Sequence, residues 1–322
     1  MCGVAGFFHY KEPRRPGDKT DITRMTDALQ SRGPDESGMV SLPGVCLGHR
    51  RLKVIDLVGG QQPMESPDGR YRLVFNGEIY GFKSLRSRHE SRGRIFRSSS
   101  DTECLLASLE ESWDEVFSGL DGMYDIACYD KEKQELFLVS DAFGKKPLYY
   151  TDLNGTLVFA SELKSLLQYP GVRRSISTRA LNEYLAYEYI PAPGTIFQNI
   201  FKLDRGTCLK VNPSGLSIRV HRNEFPPENL DLTIEESVES LRSELDLAVQ
   251  KRLVSDVPLG VFLSGGLDST AVLGTVKKLQ PGLKIKSFSI GFEEASFDES
   301  GYARFAARKY DAEHTEFICS AR

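Results

Sequence analysis

No stretch of this 322-residue chain approaches the ~20 consecutive apolar residues of a membrane-spanning helix, and its start has no basic segment leading into an apolar one. Neither a membrane protein nor a secreted one is expected. A surplus of positive charge is missing too: 41 Lys and Arg stand against 45 Asp and Glu, a net charge of −4. Affinity for a phosphate backbone rests on a basic excess, so nucleic acid and membrane surfaces are not the expected partners. The six cysteines (Cys2, Cys46, Cys104, Cys128, Cys208, Cys319) form no C-x-x-C pair and no regular spacing, which disfavours zinc and a disulfide framework. Internal repeats and low-complexity tracts are absent. What is there is an ordinary globular composition, 40% hydrophobic and 27% charged, with room for about two cores. The general expectation is a cytoplasmic enzyme with reduced thiols.

Two patterns divide the chain. Up to about residue 200, strand-like runs alternate with helical ones. Residues 21–30 read as a helix with Ile22, Met25 and Leu29 on one face, stopped by Gly33-Pro34. Strands are expected at 45–48, 71–75, 122–129, 135–140 and 157–160, and helices at 82–89, 102–111 and 179–187. Many strands with few, clustered helices suggest stacked sheets flanked by helices. Pro191-Ala192-Pro193-Gly194 is a first break. The segment 222–232, with Pro226-Pro227, is the expected linker between domains at 2–221 and 233–322. Beyond it, Thr233 and Glu236 form a capping box, and Ile234, Val238, Leu241, Leu245 and Val249 keep a helical stripe. A strand (260–263), a Gly-rich turn, a helix (270–279), a strand (287–292), a helix (302–309) and a strand opening at 313–318 read as the start of a doubly wound α/β sheet. About 90 residues are thin for an independent domain of that kind.

Met1-Cys2-Gly3 carries the first chemical signal. A small second residue lets an aminopeptidase remove Met1, leaving Cys2 with a free α-amine. That amine has a reference pKa of ~7.7–8.0, so it can act as a base near neutrality without a histidine. Nucleophile and base would then share one residue. Taken alone, a free structural thiol is the commoner fate of a cysteine.

The company of Cys2 changes its weight. Arg32-Gly33-Pro34-Asp35, His49-Arg50-Arg51-Leu52, Gln61-Gln62-Pro63-Met64, Asn76-Gly77-Glu78-Ile79-Tyr80, Ser100-Asp101-Thr102-Glu103 and Gly144-Lys145-Lys146-Pro147-Leu148-Tyr149 follow in that order. At these residues the chain resembles the class II glutamine amidotransferases and, more narrowly, the glutamine-hydrolysing asparagine synthetases, from Cys2 to about His314. The resemblance implies an α+β N-terminal nucleophile (Ntn) domain of four αββα layers. It assigns Cys2 as nucleophile and places Asn76 and Gly77, just after the strand at 71–75, in the oxyanion hole. Asn-Gly read alone would be a hairpin turn. Arg51 is implied to grip the glutamine α-carboxylate and Asp101 its α-ammonium. Arg50 is the alternative as solvated surface charge, and Asp101 could also cap the helix after it. Backbone of Leu52, Lys53, Val54 and Ile55, together with Glu78, would line the same pocket. Two positions depart from the family: Ser140 replaces its usual Arg, which is expected to loosen the domain interface, and Gly81 replaces its usual Asn.

Ser264-Gly265-Gly266-Leu267-Asp268-Ser269-Thr270 sits between a strand and a helix, where backbone N–H groups aim at phosphate. It is not a Walker A loop. A bare Gly-Gly turn is usually a plain βα connection, but this longer string resembles the PP-loop of ATP-pyrophosphatases in a partial, doubly wound α/β domain. The resemblance implies ATP as co-substrate, no tightly bound prosthetic group, an ATP site that includes Leu267, and phosphate contacts from Ser264, Gly265, Gly266 and Ser269. Asp268 would help place Mg²⁺. Backbone at Phe262 and Ile290 would contact adenine, while their side chains are expected to pack in the core.

The family couples the halves: glutamine hydrolysis supplies ammonia, aspartate is activated as β-aspartyl-AMP, and a tunnel keeps ammonia from water. Its second motif, Ser-Gly-x-Gly-x-Asp-Glu, is absent here. A C-terminally truncated synthetase is therefore expected, with sheet edge and helix faces uncovered. A stand-alone glutaminase, a remnant that needs a homodimer or a partner chain, and a different carboxylate acceptor stay open.

Overall fold

The computed structural model describes residues 1–221, 231–294, 296 and 298–320. Contacts divide the chain into two units, Met1–Phe225 and Pro226–Arg322. The linker expected at 222–232 lies, apart from its last two residues, outside the described residues.

The first unit is built on two antiparallel sheets. One runs β10 (Phe201–Lys202), β8 (Tyr149–Asp152), β9 (Leu157–Ala160), β1 (Gly3–Phe8), β3 (Val45–Arg51), β2 (Glu36–Leu42). The other runs β12 (Gly215–Val220), β11 (Thr207–Asn212), β7 (Glu135–Ser140), β6 (Gly122–Asp130), β5 (Tyr71–Ile79), β4 (Met64–Glu65). Their facing sides share one core that includes Val4, Phe8, Leu47, Val74, Ala127, Leu138 and Phe159. The outer side of the first sheet is covered by α1 (Lys19–Asp27) and α5 (Leu163–Leu166), through Ile22, Met25 and Leu29 against Phe7 and Val158. Against the second sheet lie α3 (Asp101–Glu111), with α2 (Phe82–Ser91) packed on it, and α4 (Trp113–Gly119), where Trp113 stacks on Phe137 with ring centroids 4.0 Å apart. This is the four-layer αββα arrangement. A further helix, α6 (Thr178–Tyr187), is capped by Ser177.

Strand alternation gives the sandwich its functional end. Val74, Ala127 and Leu138 stand in one row across β5, β6 and β7, all in the inter-sheet core. Two residues along, the next row on the same face is Asn76, Asp125 and Ser140. On the opposing sheet Leu47 gives way to buried His49, and Phe159 to buried Ser161. His49 Nε2 lies 3.1 Å from the Phe75 carbonyl across the gap. Burial drops the His49 pKa to about 3, so this link between sheets is a neutral imidazole. The sandwich is thus apolar at one end and polar at the other.

Several expectations shift. β5 does not end at Phe75 but continues to Ile79, so Asn76-Gly77 is strand and not a hairpin turn. Gly77 is suited to that site because a Cβ there would sit 2.0 Å from the Met123 carbonyl oxygen on β6. Gly81 precedes α2 with φ 70°, a left-handed conformation that glycine and asparagine both tolerate, so the departure there keeps the needed backbone. β1 gave no alternating signal, because both its faces are buried and its run reads as continuously apolar.

In the second unit, α7 (Ile234–Arg252) opens with the Thr233–Glu236 capping box. Three parallel strands, β13 (Gly260–Phe262), β14 (Lys286–Phe292) and β15 (Glu313–Cys319), alternate with α8 (Leu267–Leu279) and α9 (Ser300–Lys309). The core is small, centred on Val249, Leu263, Leu273, Val276 and Ile285. Of the α7 stripe, Leu245 and Val249 join it, whereas Ile234, Val238 and Leu241 are exposed. No helix among the described residues is long and apolar enough to cross a membrane.

Replacing Gly77 by Ala forces that Cβ into the β6 backbone. Thermal or urea unfolding should show a loss of about 1–3 kcal/mol, the usual cost of overpacking. An unchanged midpoint would mean that β5 and β6 separate more easily than their register implies.

Candidate active site

At the polar end of the sandwich, the start of β1, the turn after β3, the end of β5 and the start of α3 line a solvent-open pocket. Of the expected glutamine-site residues, Cys2, Arg51, Leu52, Val54, Ile55, Asn76, Gly77, Glu78 and Asp101 all line it. Lys53 does not. Its N–H donates to Asp35 at 2.9 Å and its ammonium lies 3.8 Å from Glu36.

Cys2 Sγ accepts from the Leu52 N–H at 3.4 Å and approaches the Leu52 carbonyl at 3.7 Å. Burial pushes the thiol pKa up, opposed by the Leu52 hydrogen bond and by the positive α-amine and Arg51. The α-amine, here that of Met1, is shifted the other way. Burial lowers its pKa, and the charges of Arg32 and Lys146 lower it further, against the opposite pull of Cys2. Both shifts favour the neutral thiol and the neutral amine over the thiolate–ammonium pair. Arg32 braces this end by donating from Nε to the Cys2 carbonyl at 2.8 Å.

Arg51 is buried and partly committed. Nη1 pairs with Glu36 at 3.1 Å, and Nη2 donates to the carbonyls of Ile55 at 3.0 Å and Asp56 at 2.5 Å. The guanidinium therefore shapes the turn that lines the pocket, and of its five N–H donors two remain for a ligand. Arg50, one residue back and on the opposite face, pairs with Asp27 of α1. Asp101 is not the helix cap: Ser100 is, accepting from Thr102 N–H at 3.1 Å. Asp101 instead accepts from Ile79 N–H at 3.1 Å, which anchors its carboxylate at the end of β5. Burial raises its pKa to about 6, helped by Glu78 and resisted by the Ile79 bond.

Two residues in quoted motifs had been given no role. Lys146, buried and in the pocket wall, has its pKa lowered by desolvation, against the pull of Glu78. Gln62 accepts from Phe75 N–H at 2.6 Å and donates to Thr102 Oγ1 at 3.3 Å, tying β5 to α3 beneath the pocket. Motif membership was the only signal for either.

In the second unit, the loop after β13 turns at Gly265, whose φ of 86° favours glycine and whose Cβ would meet Ala303 N at 2.8 Å. Helix α8 starts at Leu267, earlier than the expected 270, and Asp268 and Ser269 fall in its first turn. Its N-cap is Gly266, with no side-chain cap, so the first N–H groups stay available to a ligand. Ser264 and Ser269 hydroxyls lie 3.1 Å apart and Ser264 Oγ accepts from Gly266 N–H at 3.3 Å, which closes the loop. An open, largely apolar cleft brings together Phe262, Ser264 and Ile290. Phe262 is 87% and Ile290 61% exposed, so their side chains do not pack in the core as expected. Both side chains instead line the open cleft.

Residues 1–222 match the family model described as a glutamine amidotransferase domain, and residues 240–322 match the one described as asparagine synthase. The chain is 34% identical to asparagine synthetase [glutamine-hydrolyzing] 1 of Bacillus subtilis, over 99% of its own length and 50% of that protein's. A putative asparagine synthetase [glutamine-hydrolyzing] 2 of Methanocaldococcus jannaschii is 30% identical, with 100% of this chain and 65% of the relative covered. The chain thus spans about half to two thirds of the length of these relatives. Among solved structures, the glutamine phosphoribosylpyrophosphate amidotransferase of B. subtilis superposes with a TM-score of 0.50 at 16% identity, covering 98% of this chain and 81% of that one. That likeness concerns the fold.

Asp101 yields a pH test. With a pKa near 6, it is mostly neutral at pH 5 and ionised at pH 7.5, and only the carboxylate attracts an ammonium. Calorimetric binding of L-glutamine to Cys2→Ala protein should tighten about tenfold over that range and then level off. A flat profile would remove Asp101 from the ligand site.

Proposed function

The chain belongs to the glutamine amidotransferase family, and on that premise we propose that its first unit hydrolyses the side-chain amide of glutamine at Cys2. The observation that carries this reading is convergence. Cys2, Arg51, Asn76, Gly77 and Asp101 come from separate segments and line one pocket. After removal of Met1, the Cys2 amine takes the thiol proton and the thiolate attacks the amide carbon. Asn76 Nδ2–H and Gly77 N–H stabilise the oxyanion. The amine returns the proton to the leaving nitrogen, ammonia departs, and water hydrolyses the thioester to glutamate. Arg51 meets the α-carboxylate and Asp101 the α-ammonium, which sets the carbonyl over sulfur.

The second unit, in this reading, binds ATP and uses the ammonia to amidate aspartate through β-aspartyl-AMP, with release of AMP and pyrophosphate. Ser264, Gly265, Gly266, Ser269 and the uncapped start of α8 suit a pyrophosphate group, and the apolar cleft at Phe262 and Ile290 suits adenine. Among the described residues no group of three or more His, Cys, Asp or Glu could cage a metal. The chain therefore fits Mg²⁺ as an ion carried on the phosphates of ATP, with exposed Asp268 adding one oxygen. Bound there, the ion would neutralise phosphate charge. The reading places the protein in the cytoplasm, where the Cys2 thiol stays reduced.

Cys2→Ala should abolish glutamate release from glutamine without lowering the melting temperature; wild-type rates in that variant would sink the assignment. The second unit is tested separately by pyrophosphate release with Mg-ATP, aspartate and ammonium chloride. Aspartate-dependent pyrophosphate supports the synthetase reading. Its absence, from protein that still hydrolyses glutamine, would favour a glutaminase that needs a partner chain for any ligase step.

A further inference from the structure

The polar row Asn76, Asp125 and Ser140 contains more than the reaction above uses. Asn76 and Asp125 face each other across β5 and β6, and Asp125 and Ser140 across β6 and β7. All three are at most 1% exposed. Yet Asn76 Nδ2, both Asp125 carboxyl oxygens and Ser140 Oγ find no hydrogen-bond partner among the described residues, and neither does Arg32 Nη2. A buried polar atom left unmet costs about 1–3 kcal/mol, so adjacent unmet groups point to one another. Directly opposed strand residues have Cβ atoms about 5 Å apart, within reach for an amide and a carboxyl group. The Asn76 side chain approaches the Asp125 carboxyl group closely enough to oppose the rise in its pKa as a hydrogen-bond partner, though Nδ2 falls short of a formed bond.

Charge decides which way the amide turns. An Asp125 anion attracts Nδ2 and leaves Oδ1 for the pocket, where it would repel an oxyanion. A neutral acid can donate to Oδ1 and release Nδ2. Burial and the neighbouring Asp141 push the Asp125 pKa well above the ordinary carboxylate range, and Arg32, Lys146 and Asn76 pull against them. A basic residue at 140 would hold Asp125 as the anion. Ser140 does not, and its hydroxyl can instead donate to the acid's carbonyl oxygen.

We propose that Asp125 is a positioning residue for Asn76: its carboxyl O–H donates to Asn76 Oδ1 and turns Nδ2–H into the pocket, toward the oxyanion. This rests on the glutaminase reading for its consequence but not for its geometry. Asp125 touches no substrate and acts only through the amide.

Two substitutions and one spectrum test it. Asp125→Asn keeps a donor to Oδ1 and should hold kcat for glutamine hydrolysis within about threefold of wild type. Asp125→Ala removes the donor and should lower kcat about tenfold or more with KM within about threefold, because transition-state alignment and not substrate affinity is lost. An Asn variant that folds but is as impaired as loss of Asn76 itself would overturn the proposal, whether or not the Ala variant folds. So would an Ala variant with wild-type kcat. The spectrum is independent of activity: the Asn76 side-chain amide pair in a ¹H–¹⁵N correlation map, identified by its loss in Asn76→Asp, should move in Asp125→Ala. An unmoved pair would overturn the proposal even if wild-type protein hydrolysed no glutamine, an outcome that would refute the glutaminase reading instead.

Discussion

The structure depends on one constraint, the change from apolar to polar along the inner faces of two stacked sheets. Side chains two residues apart on a strand share a face, so each inward column must pass from core to site without a change of direction. Val74 leads to Asn76, Ala127 to Asp125, Leu138 to Ser140 and Leu47 to His49. The apolar rows exclude water from one side of the site, and the backbone ladder fixes the spacing of the polar row. Helices α1 and α3 then cover the outer faces, so the strands cannot slide without exposing a second core on the far side.

Desolvation by that packing supplies most of the site's chemistry. It raises the Cys2 thiol and the Asp101 carboxyl and lowers the α-amine and Lys146. Each of these shifts favours the neutral form of its group, so charge is held in the site only where a partner or ligand offsets the desolvation. Polar cross-links keep the geometry while the charges change. Gln62 joins β5 to α3, Arg51 holds the turn at Ile55 and Asp56, and Arg32 holds the Cys2 carbonyl. The second unit relies on a different device. Its loop offers backbone N–H groups at an uncapped helix start, shaped by a left-handed glycine and two mutually bonded serines.

Much of this was legible beforehand. Where a strand is rich in large apolar residues, or a helix keeps a stripe and a cap, local pattern and structure agree: β7 and β9 have the expected bounds, and the Thr233–Glu236 box caps α7. Motif order also singled out nearly every pocket residue. β1 differs from β7 and β9 in carrying Gly3, Ala5 and Gly6, residues depleted in strands, so its sequence gives a weak strand signal. Asn76-Gly77 suggested a turn because its close approach to β6, which requires glycine, has no trace in local sequence.

The sequence by itself determined which chemical groups the chain owns and in what order: a cysteine next to Met1, an Arg, an Asn-Gly pair, an Asp and a Gly-rich loop before a helix. Those are covalent facts, and their local propensities follow from them. Tertiary structure alone decided that Lys53 bonds Asp35 while its neighbours Leu52 and Val54 line the pocket, that Ser100 and not Asp101 caps α3, and that Asp125 and Ser140 flank one another behind the pocket. Such outcomes depend on strand register and on which face is desolvated. Both arise from pairing residues distant in the chain, such as Asp125 with Ser140 and Ala5 with Ala160, and no short window of local sequence contains them.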